Sequence, residues 1–416
     1  MLSWCYRIAI IKPSRFALPR ENMTNDKSHI ADSSLKLPVH KRLLFGFVAF
    51  LCCVGIAEVC FRVIGYDFNQ TSARLEAIPP FYRIPTEPFA KYFFKRPANT
   101  FWTGQVIRSQ MDVLGIDSSD YQDEATVALN YDSDGFRNPS TLDDWEIVVV
   151  GDSFTELGNL SDDQLFTSIL ASTVGKRVKN LGASYTGTRT QIQYLSSFGK
   201  SDTTKIAVLA FFEGNDIEET ISEVRRKANI DLGELSLNDF FGDNLIQTSL
   251  VGFILDRITD SPVEKIAITR DNAEVQLPSG DTARVGINYM PLNEIQLGGA
   301  GAMMQTAISD WAQMCQSQGL EPWLVYLPCK HRVLYPLGLR FDVDVNPLLK
   351  AWMPSDLPQW VNRECQKNNV TFIDTTAALI DSARDGEIPF NLIYDTHLNA
   401  RGSAIVAAEL ADVLVQ

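Results

Sequence analysis

The chain has 416 residues, of which 45% are hydrophobic, and a formal net charge of −14 at pH 7. This composition is typical of a globular protein with a substantial core, and the length allows one large domain with appendages or two modest domains. The acidic balance argues against a nucleic-acid partner, because phosphate binding needs clustered Lys and Arg residues.

An apolar run near the N-terminus is the first predicted element. Residues 43–60 read LLFGFVAFLCCVGIAEVC, contain one charged residue, Glu58, and follow a segment with several Lys and Arg residues. The run is close to the minimum length of a membrane-spanning helix, and cations before a span favour a cytoplasmic N-terminus. We therefore predict a cytoplasmic tail over residues 1–42, a transmembrane anchor over 43–64 and a body outside the cytoplasm.

A cleaved signal peptide and a buried core helix are the alternatives for this run. The segment that precedes it is long for the charged part of a signal peptide, unless translation starts at Met23, and no small-residue cleavage site closes it. A core helix would show a polar face with a period of 3.6 residues, which this run lacks. The anchor is preferred, and both alternatives stay open.

The body divides into an irregular stretch and a regular one. Residues 65–144 are rich in Pro, Asn, Asp and Ser, which predicts an irregular pre-domain segment. Short apolar runs then alternate with amphipathic stretches. The predicted strands are 145–151, 177–183, 205–216, 321–328 and 370–376. The predicted helices are 161–175, 188–200, 302–319 and 401–415. Strands joined through helices form a parallel sheet that is covered on both faces.

One stretch, at about residues 217–299, breaks this alternation and is interpreted as an insertion. It contains charged, helix-like sequence and then two short strand-like runs around PSGD at residues 278–281. Pro, Ser, Gly and Asp between two such runs predict a β-hairpin.

Polar motifs follow the predicted strands at the ends where ligands bind in parallel sheets. The first strand ends in GDS at Ser153, the second in NLG at Gly182 and the third in GND around Asn215. The sequence YDTHLNARG, with Asp395 and His397, comes just before the last helix. We therefore expect these side chains to converge at one edge of the sheet.

The residue types in these motifs fit acyl transfer. A serine hydroxyl becomes a nucleophile when a histidine takes its proton, and a carboxylate orients that histidine. Ser153, His397 and Asp395 can fill these roles. The N–H groups of Ser153 and Gly182 and the side-chain amide of Asn215 can stabilise the oxyanion. Each motif alone has an ordinary interpretation, since Ser153 could cap a helix and Asn215 could belong to a turn.

Taken together, the motifs resemble those of the SGNH/GDSL hydrolase superfamily. GDSFTE resembles its first block, with Ser153 as the nucleophile, and NLGASYTG its second, with Gly182 as an oxyanion donor. GND resembles the third block, with Asn215 as an oxyanion donor, and DTHLNARG the last, with Asp395 and His397. The resemblance implies a flavodoxin-like three-layer α/β/α fold with a parallel central sheet.

The resemblance covers residues 145–416, the predicted catalytic domain, and implies neither a cofactor nor a metal. The anchor and the motif NYDSDGFRNP at residues 130–139 resemble a membrane-anchored bacterial branch of the superfamily. Two features depart from the pattern. Glu213 stands where the third block has a glycine, and the last block has one residue, not two, between Asp395 and His397. The shorter spacing is shared with cell-surface polysaccharide O-acetyltransferases of the superfamily.

Several other polar residues are left outside the predicted catalytic set. His331 is interpreted as a surface or substrate-contact residue, Arg189 and Gln191 as groups on a helix surface, and Glu213 as a solvated turn carboxylate. Three cysteines of the body are predicted to be buried thiols, with one disulfide and one free thiol as the alternative: Cys315, Cys329 and Cys365.

The predicted function is that of a membrane-anchored serine esterase or deacylase. Its substrates would be O-acyl esters of a carbohydrate or lipid, such as a cell-envelope glycan, and its contact with the membrane would run through residues 43–64. An O-acyltransferase that modifies a cell-surface polysaccharide is the first alternative, because a sugar hydroxyl can replace water in the second half of the reaction. A catalytically inactive binding module on the same fold is the second.

Overall fold

The structure is a computed structural model, and the residues that it describes are 38–63, 79–80, 96–114, 117–139, 142–231, 271–291, 294–392 and 395–415. Two compact units are distinguished along the chain, residues 1–55 and 56–416.

Within the described ranges the chain forms ten strands and twelve α-helices. The strands are β1 (Phe101–Gly104), β2 (Val127–Asn130), β3 (Ile147–Gly151), β4 (Val178–Gly182), β5 (Ile206–Phe212), β6 (Ala273–Gln276), β7 (Thr282–Val285), β8 (Glu321–Leu327), β9 (Arg340–Phe341) and β10 (Thr371–Asp374). The helices are α1 (Val39–Val63), α2 (Val106–Leu114), α3 (Ser153–Glu156), α4 (Phe166–Val174), α5 (Thr188–Phe198), α6 (Asp216–Asp231), α7 (Glu294–Gln318), α8 (Lys330–Leu334), α9 (Pro347–Ala351), α10 (Leu357–Lys367), α11 (Thr376–Arg384) and α12 (Ala400–Val415).

Helix α1 contains the apolar run that was predicted to be an anchor. Its segment Val39–Cys60 has a mean hydropathy of 2.4 and is long and apolar enough to cross a membrane. The apolar side chains of this segment, such as Leu43 and Phe45, are exposed. A helix in a protein core would bury them, so the exposure argues against the core-helix alternative.

A five-stranded parallel sheet forms the centre of the body, with the strand order β10-β8-β5-β3-β4. Counted along this sheet, the order is 2-1-3-4-5, which is the flavodoxin-like arrangement. The predicted parallel sheet is therefore confirmed. The chain reverses its direction of winding between β3 and β5, and a crevice opens beside their carboxyl ends at such a point.

Helices cover both faces of this sheet. Along β3, Ile147 and Val149 point into one hydrophobic cluster and Val148 and Val150 into the other, because successive side chains of a strand face opposite ways. One cluster contains side chains of α4, α11 and α12. The other contains side chains of α5, α6, α7 and α10. This three-layer α/β/α architecture is the predicted fold class.

The pre-domain segment is more regular than predicted. In its described part, β1 pairs antiparallel with β2, and α2 lies between them in sequence. Their apolar side chains form a separate small core with Trp102, Ile107, Met111, Leu129 and Tyr131. Each of these strands has only four residues, so its alternation of polar and apolar residues is too short to stand out among the prolines.

The predicted hairpin around residues 278–281 is confirmed, since β6 pairs antiparallel with β7. Strand β6 also pairs with β9, which gives a second small sheet. Within the predicted insertion of residues 217–299, the described parts contain most of α6, the β6–β7 hairpin and the start of α7. Residues 232–270 of this prediction lie outside the described residues.

Candidate active site

Ser153 stands at an abrupt change from strand to helix. Strand β3 ends at Gly151, and the side chain of Asp152 accepts a hydrogen bond of 2.8 Å from the Phe154 N–H. Asp152 is therefore the N-cap of α3, and the interpretation of Ser153 as a cap is wrong. Asp152 and Phe154 are buried, whereas Ser153 remains partly exposed at the start of the helix.

Three of the predicted site residues meet in the structure, although 244 positions separate two of them. His397 Nε2 lies 2.8 Å from Ser153 Oγ, and His397 Nδ1 lies 2.5 Å from Asp395 Oδ1. The same carboxylate oxygen accepts a hydrogen bond of 2.7 Å from the Thr396 N–H. The spacing of one residue between Asp395 and His397 thus brings carboxylate and imidazole together.

The electrostatic surroundings favour the charged forms of both partners. Burial lowers the pKa of His397, but the charge of Asp395 and its hydrogen bond outweigh burial and hold the pKa above its ordinary value. Burial raises the pKa of Asp395, yet the His397 interactions and the charge of Lys330 leave it below its ordinary value. A histidine held in this way is basic enough to take a proton from a hydroxyl.

The predicted oxyanion donors are placed less uniformly. Gly182 pairs with Gly151 at the end of the sheet, and a Cβ atom there would lie 2.4 Å from the Glu156 nitrogen, so only glycine fits. Its N–H, however, donates to Asn180 Oδ1 at 2.7 Å. The Asn215 amide donates to Glu219 Oε1 at 2.9 Å. The Ser153 N–H lies in the first turn of α3, where N–H groups have no acceptor within the helix.

A buried carboxylate that sequence reasoning missed lies one turn beyond Ser153. Glu156 accepts hydrogen bonds from Arg96 at 2.8 and 2.9 Å and from the Tyr131 hydroxyl at 2.9 Å. It also accepts hydrogen bonds of 2.7 Å from the N–H and the hydroxyl of Ser184, two residues after Gly182. Burial raises the pKa of Glu156, but Arg96 and these donors outweigh burial and lower it to about 2.

The motif at residues 130–139 lies beside the same elements. Asp132 forms a buried ion pair of 2.6 Å with Lys179 of β4. Arg137 donates to the carbonyls of Leu157 and Leu160, at 2.8 and 2.9 Å, in the turn after α3. The pre-domain segment is thus fastened to β4 itself and to the turn that follows α3. In the sequence this motif was singled out by its family resemblance alone, and these contacts were not predicted.

Three of the residues that were left outside the catalytic set are buried, contrary to prediction. His331 is 1% exposed and packs 4.3 Å from Trp352, so its interpretation as a surface residue is wrong. Glu213 is not a solvated turn carboxylate, because it accepts a hydrogen bond of 2.7 Å from Arg332. Gln191 is buried and donates to the Thr186 carbonyl at 2.8 Å.

His331 belongs to α8, a helix that was not predicted, and Arg332 of the same helix forms the hydrogen bond to Glu213. Arg189 stays partly exposed at the start of α5, as predicted. The three body cysteines are free and buried, which agrees with the preferred interpretation: Cys315, Cys329 and Cys365.

An acidic cluster includes Asp152, the residue before Ser153. Asp152, Asp216 and Glu219 each offer a carboxylate oxygen, and these oxygens lie within 4.8 Å of one another. Such a group can bind a metal ion. Burial, however, raises the pKa of Asp152 to about 6 and that of Asp216 well above its ordinary value. In the absence of a cation, burial and mutual repulsion therefore favour protonation of this cluster.

Comparisons with known proteins give similarity of fold only. No family model and no curated protein matches the chain. A G-D-S-L family lipolytic protein from Desulfitobacterium hafniense is 12% identical, with 64% of this chain and 98% of that one covered and a TM-score of 0.31. A lipolytic protein of the same G-D-S-L family from Veillonella parvula is 12% identical, with 65% of this chain and 98% of that one covered and a TM-score of 0.33. An acetyl xylan esterase from Geobacillus stearothermophilus is 12% identical, with 64% of this chain and 93% of that one covered and a TM-score of 0.32. These superpositions are loose, and the fold is assigned from the strand order and helical layers of the chain itself.

Proposed function

We propose that this protein is a serine-dependent ester hydrolase. The observation that carries the proposal is the chain of contacts from Ser153 Oγ through the His397 ring to Asp395 Oδ1, with distances of 2.8 and 2.5 Å. A hydroxyl, an imidazole and a carboxylate in this order form the arrangement that activates a serine nucleophile. Ser153 is partly exposed, as access by a substrate requires.

In the proposed mechanism, Ser153 Oγ attacks the ester carbonyl while His397 Nε2 takes the hydroxyl proton. Asp395 holds the imidazole through Nδ1 and stabilises its charged form. His397 then gives the proton to the leaving alcohol, which breaks the ester bond and leaves an acyl group on Ser153. Water, activated by the same imidazole, releases the acid and restores the serine.

The oxyanion of each tetrahedral intermediate needs hydrogen-bond donors. We assign this role to the N–H of Ser153 and the side-chain amide of Asn215. The Gly182 N–H joins them only when it releases Asn180, which it binds in the structure. The Gly182 N–H would then exchange Asn180 Oδ1 for the oxyanion as its acceptor. In this way the arrival of the substrate would complete the oxyanion site.

We further propose that α1 anchors the protein in a membrane and that the catalytic body lies outside the cytoplasm. The length and hydropathy of α1 support the anchor, and the cations that precede it support the orientation. Acyl esters of an envelope carbohydrate or lipid are the substrates that this location favours.

The proposal is tested by hydrolysis of p-nitrophenyl acetate by the full chain in detergent. Ser153→Ala is expected to lower kcat by about a thousandfold or more, because loss of the nucleophile leaves only the binding contributions. A fluorophosphonate probe is expected to label the wild-type protein at Ser153, as mapped by mass spectrometry.

Ser172→Ala is the matched control, since Ser172 is an exposed residue whose hydroxyl bonds within its own helix. Equal turnover by Ser153→Ala and the wild type would refute the nucleophile. Absence of both turnover and labelling in the wild type would favour the inactive binding module.

An O-acyltransferase is the second candidate, and the spacing of one residue between Asp395 and His397 favours it. Its acyl-enzyme would be the same, but a sugar hydroxyl would replace water. Mass spectrometry of an oligosaccharide incubated with the enzyme and the acyl donor discriminates the two. Acylated oligosaccharide would establish transfer, and free acid alone would establish hydrolysis.

A further inference from the structure

Lys330 is a buried cation that the proposed mechanism does not use. It is the first residue of α8, just after β8, and only 2% of it is exposed. Its Nζ donates to the carbonyls of Asn391 at 2.5 Å and Asp395 at 2.9 Å, with the Leu392 carbonyl at 3.4 Å. No carboxylate in the described part of the chain forms an ion pair with this ammonium. Burial of a cation is costly, so its position calls for an explanation.

The three carbonyls belong to the loop that leads into the proposed base. Its backbone is closed by a hydrogen bond of 3.0 Å from the Asn391 N–H to the His397 carbonyl. Phe390 and Leu398 form a β-bridge just outside this closure. An ammonium group has three N–H donors and therefore matches three carbonyl acceptors. Lys330 thus ties together the two sides of the loop that carries Asp395.

We propose that Lys330 is a positioning residue for the hydrolase. Its ammonium fixes the backbone of the loop and thereby the place of Asp395 and His397, and its charge keeps that pair in the state that accepts a proton from Ser153. This inference rests on the proposed function, because it concerns the same reaction.

The electrostatics around the pair support a role of the charge itself. The positive charge of Lys330 lowers the pKa of Asp395 and also opposes the rise in the pKa of His397. Other titratable groups that act on these two residues include Asp152 on His397, and Glu124 and Tyr289 near Asp395. Lys330 is the only cation among these described groups.

The ammonium itself titrates close to neutrality. Burial lowers the pKa of Lys330 to about 7, against the opposing charge of Asp395. Above that pH the side chain becomes a neutral amine, which has two N–H donors for three carbonyls. The loop then loses one of its hydrogen bonds to Lys330, and the positive charge near Asp395 disappears. We therefore expect activity to fall as the pH rises above about 7.

Two substitutions separate the ammonium from the bulk of the side chain. Lys330→Met keeps the length of the side chain but removes its donors and charge, whereas Lys330→Arg keeps a charge that does not titrate below pH 12. Lys350→Met is the matched control, because Lys350 is an exposed lysine whose Nζ also binds a backbone carbonyl, that of Val343 at 2.6 Å.

We expect Lys330→Met to lower kcat for p-nitrophenyl acetate about 10- to 100-fold, with KM changed less than about twofold, because a displaced base slows the chemical step. The acid limb of the kcat/KM profile should move to higher pH, since the charge that opposes protonation of His397 is lost. Lys330→Arg should recover part of kcat and lose the alkaline limb. Lys350→Met should match the wild type.

A wild-type pH profile and kcat in Lys330→Met, in a protein with a cooperative thermal transition, would overturn the proposal. If Lys330→Met does not fold, an unchanged alkaline limb in Lys330→Arg would overturn it. Labelling of Ser153 by the fluorophosphonate probe distinguishes failure of the positioning role from failure of the proposed hydrolase function. Labelling with no effect of Lys330 refutes the positioning role alone, whereas a wild type without labelling or turnover refutes the hydrolase and this role with it.

Discussion

The start of α3 divides two roles between neighbouring residues. Asp152 caps the helix through the Phe154 N–H, and Ser153, one position later, keeps its hydroxyl for His397. If the serine itself capped the helix, its oxygen would accept a hydrogen bond from a backbone N–H of the first turn. Asp152 thus leaves the Ser153 hydroxyl free to bond with His397, while its own carboxylate is buried.

The buried carboxylate of Asp152 makes the free energy of unfolding depend on pH, and the direction of this dependence can be tested. Burial raises the pKa of Asp152 from 3.8 to about 6 in the folded protein. The folded state therefore binds more protons than the unfolded state between these values, and the contribution of Asp152 to stability falls as pH rises through about 6.

Asp152→Asn cannot ionise but still has an oxygen to accept the Phe154 N–H. We expect it to raise the free energy of unfolding by roughly 1–3 kcal/mol at pH 8 and by much less at pH 4. Urea denaturation at both pH values measures the difference. The control is Asp202→Asn, at an exposed carboxylate, and an equal gain at both pH values would contradict the explanation.

At the scale of elements, the pre-domain strands and helix are held to the catalytic sheet by buried ion pairs. Arg96 and Tyr131 approach Glu156 from the pre-domain side, and Ser184 approaches it from the loop after β4. One carboxylate therefore joins three parts of the chain that lie far apart in sequence. Such a group is costly to bury unless all its partners are present.

Arg96→Met is expected to lower the free energy of unfolding by about 3–5 kcal/mol, because it leaves the Glu156 carboxylate buried without its cation. Glu156→Gln in the same chain should recover part of this loss, since it removes the unpaired charge. Denaturant titration of the two single variants and the double variant gives the coupling energy.

Arg284→Met serves as the control for the Arg96 cycle. Arg284 pairs with Asp271 and Asp342 on the surface, and exposed pairs contribute at most about 1 kcal/mol. Additive effects of Arg96→Met and Glu156→Gln would show that the two residues do not stabilise each other.

The elements differ in how far the sequence predicts them. The five strands of the sheet were predicted from apolar runs, because strands buried on both faces are almost continuously hydrophobic. Helices α8 to α11 were not predicted. Two of them, α8 and α9, have five residues each, and short helices are stabilised mainly by packing rather than by their own sequence.

The residues of the candidate site also differ in how far the sequence predicts them. The convergence of Ser153, Asp395 and His397 could be predicted because their motifs are local and stand beside regular elements. Arg96 and Lys330 could not, since each acts through a partner about 60 positions away in the chain. A contact over that distance leaves no local pattern, and both residues look like ordinary surface cations in the sequence.

At the scale of the whole molecule, the anchor is expected to place the body outside the cytoplasm. Ser279→Cys puts a thiol in the exposed turn between β6 and β7. In bacterial spheroplasts this variant should react with a membrane-impermeant maleimide and stay in the membrane after alkaline carbonate extraction, because α1 is apolar enough to span.

Two results would oppose this topology. Reaction only after lysis would place the body inside the cytoplasm, and release by carbonate would favour a cleaved signal peptide. The wild type is the control for reaction at its own thiols, of which those of the body are buried.

The separation of 244 residues between Ser153 and His397 also has a consequence for biosynthesis. A ribosome makes Ser153 long before it makes His397, and the imidazole cannot meet the hydroxyl until β8, β10 and the intervening helices have formed. With the topology proposed above, the nascent chain would carry an unreactive serine while it crosses the membrane. Reactivity would begin only once the late segments have folded, at the place where the substrate is found.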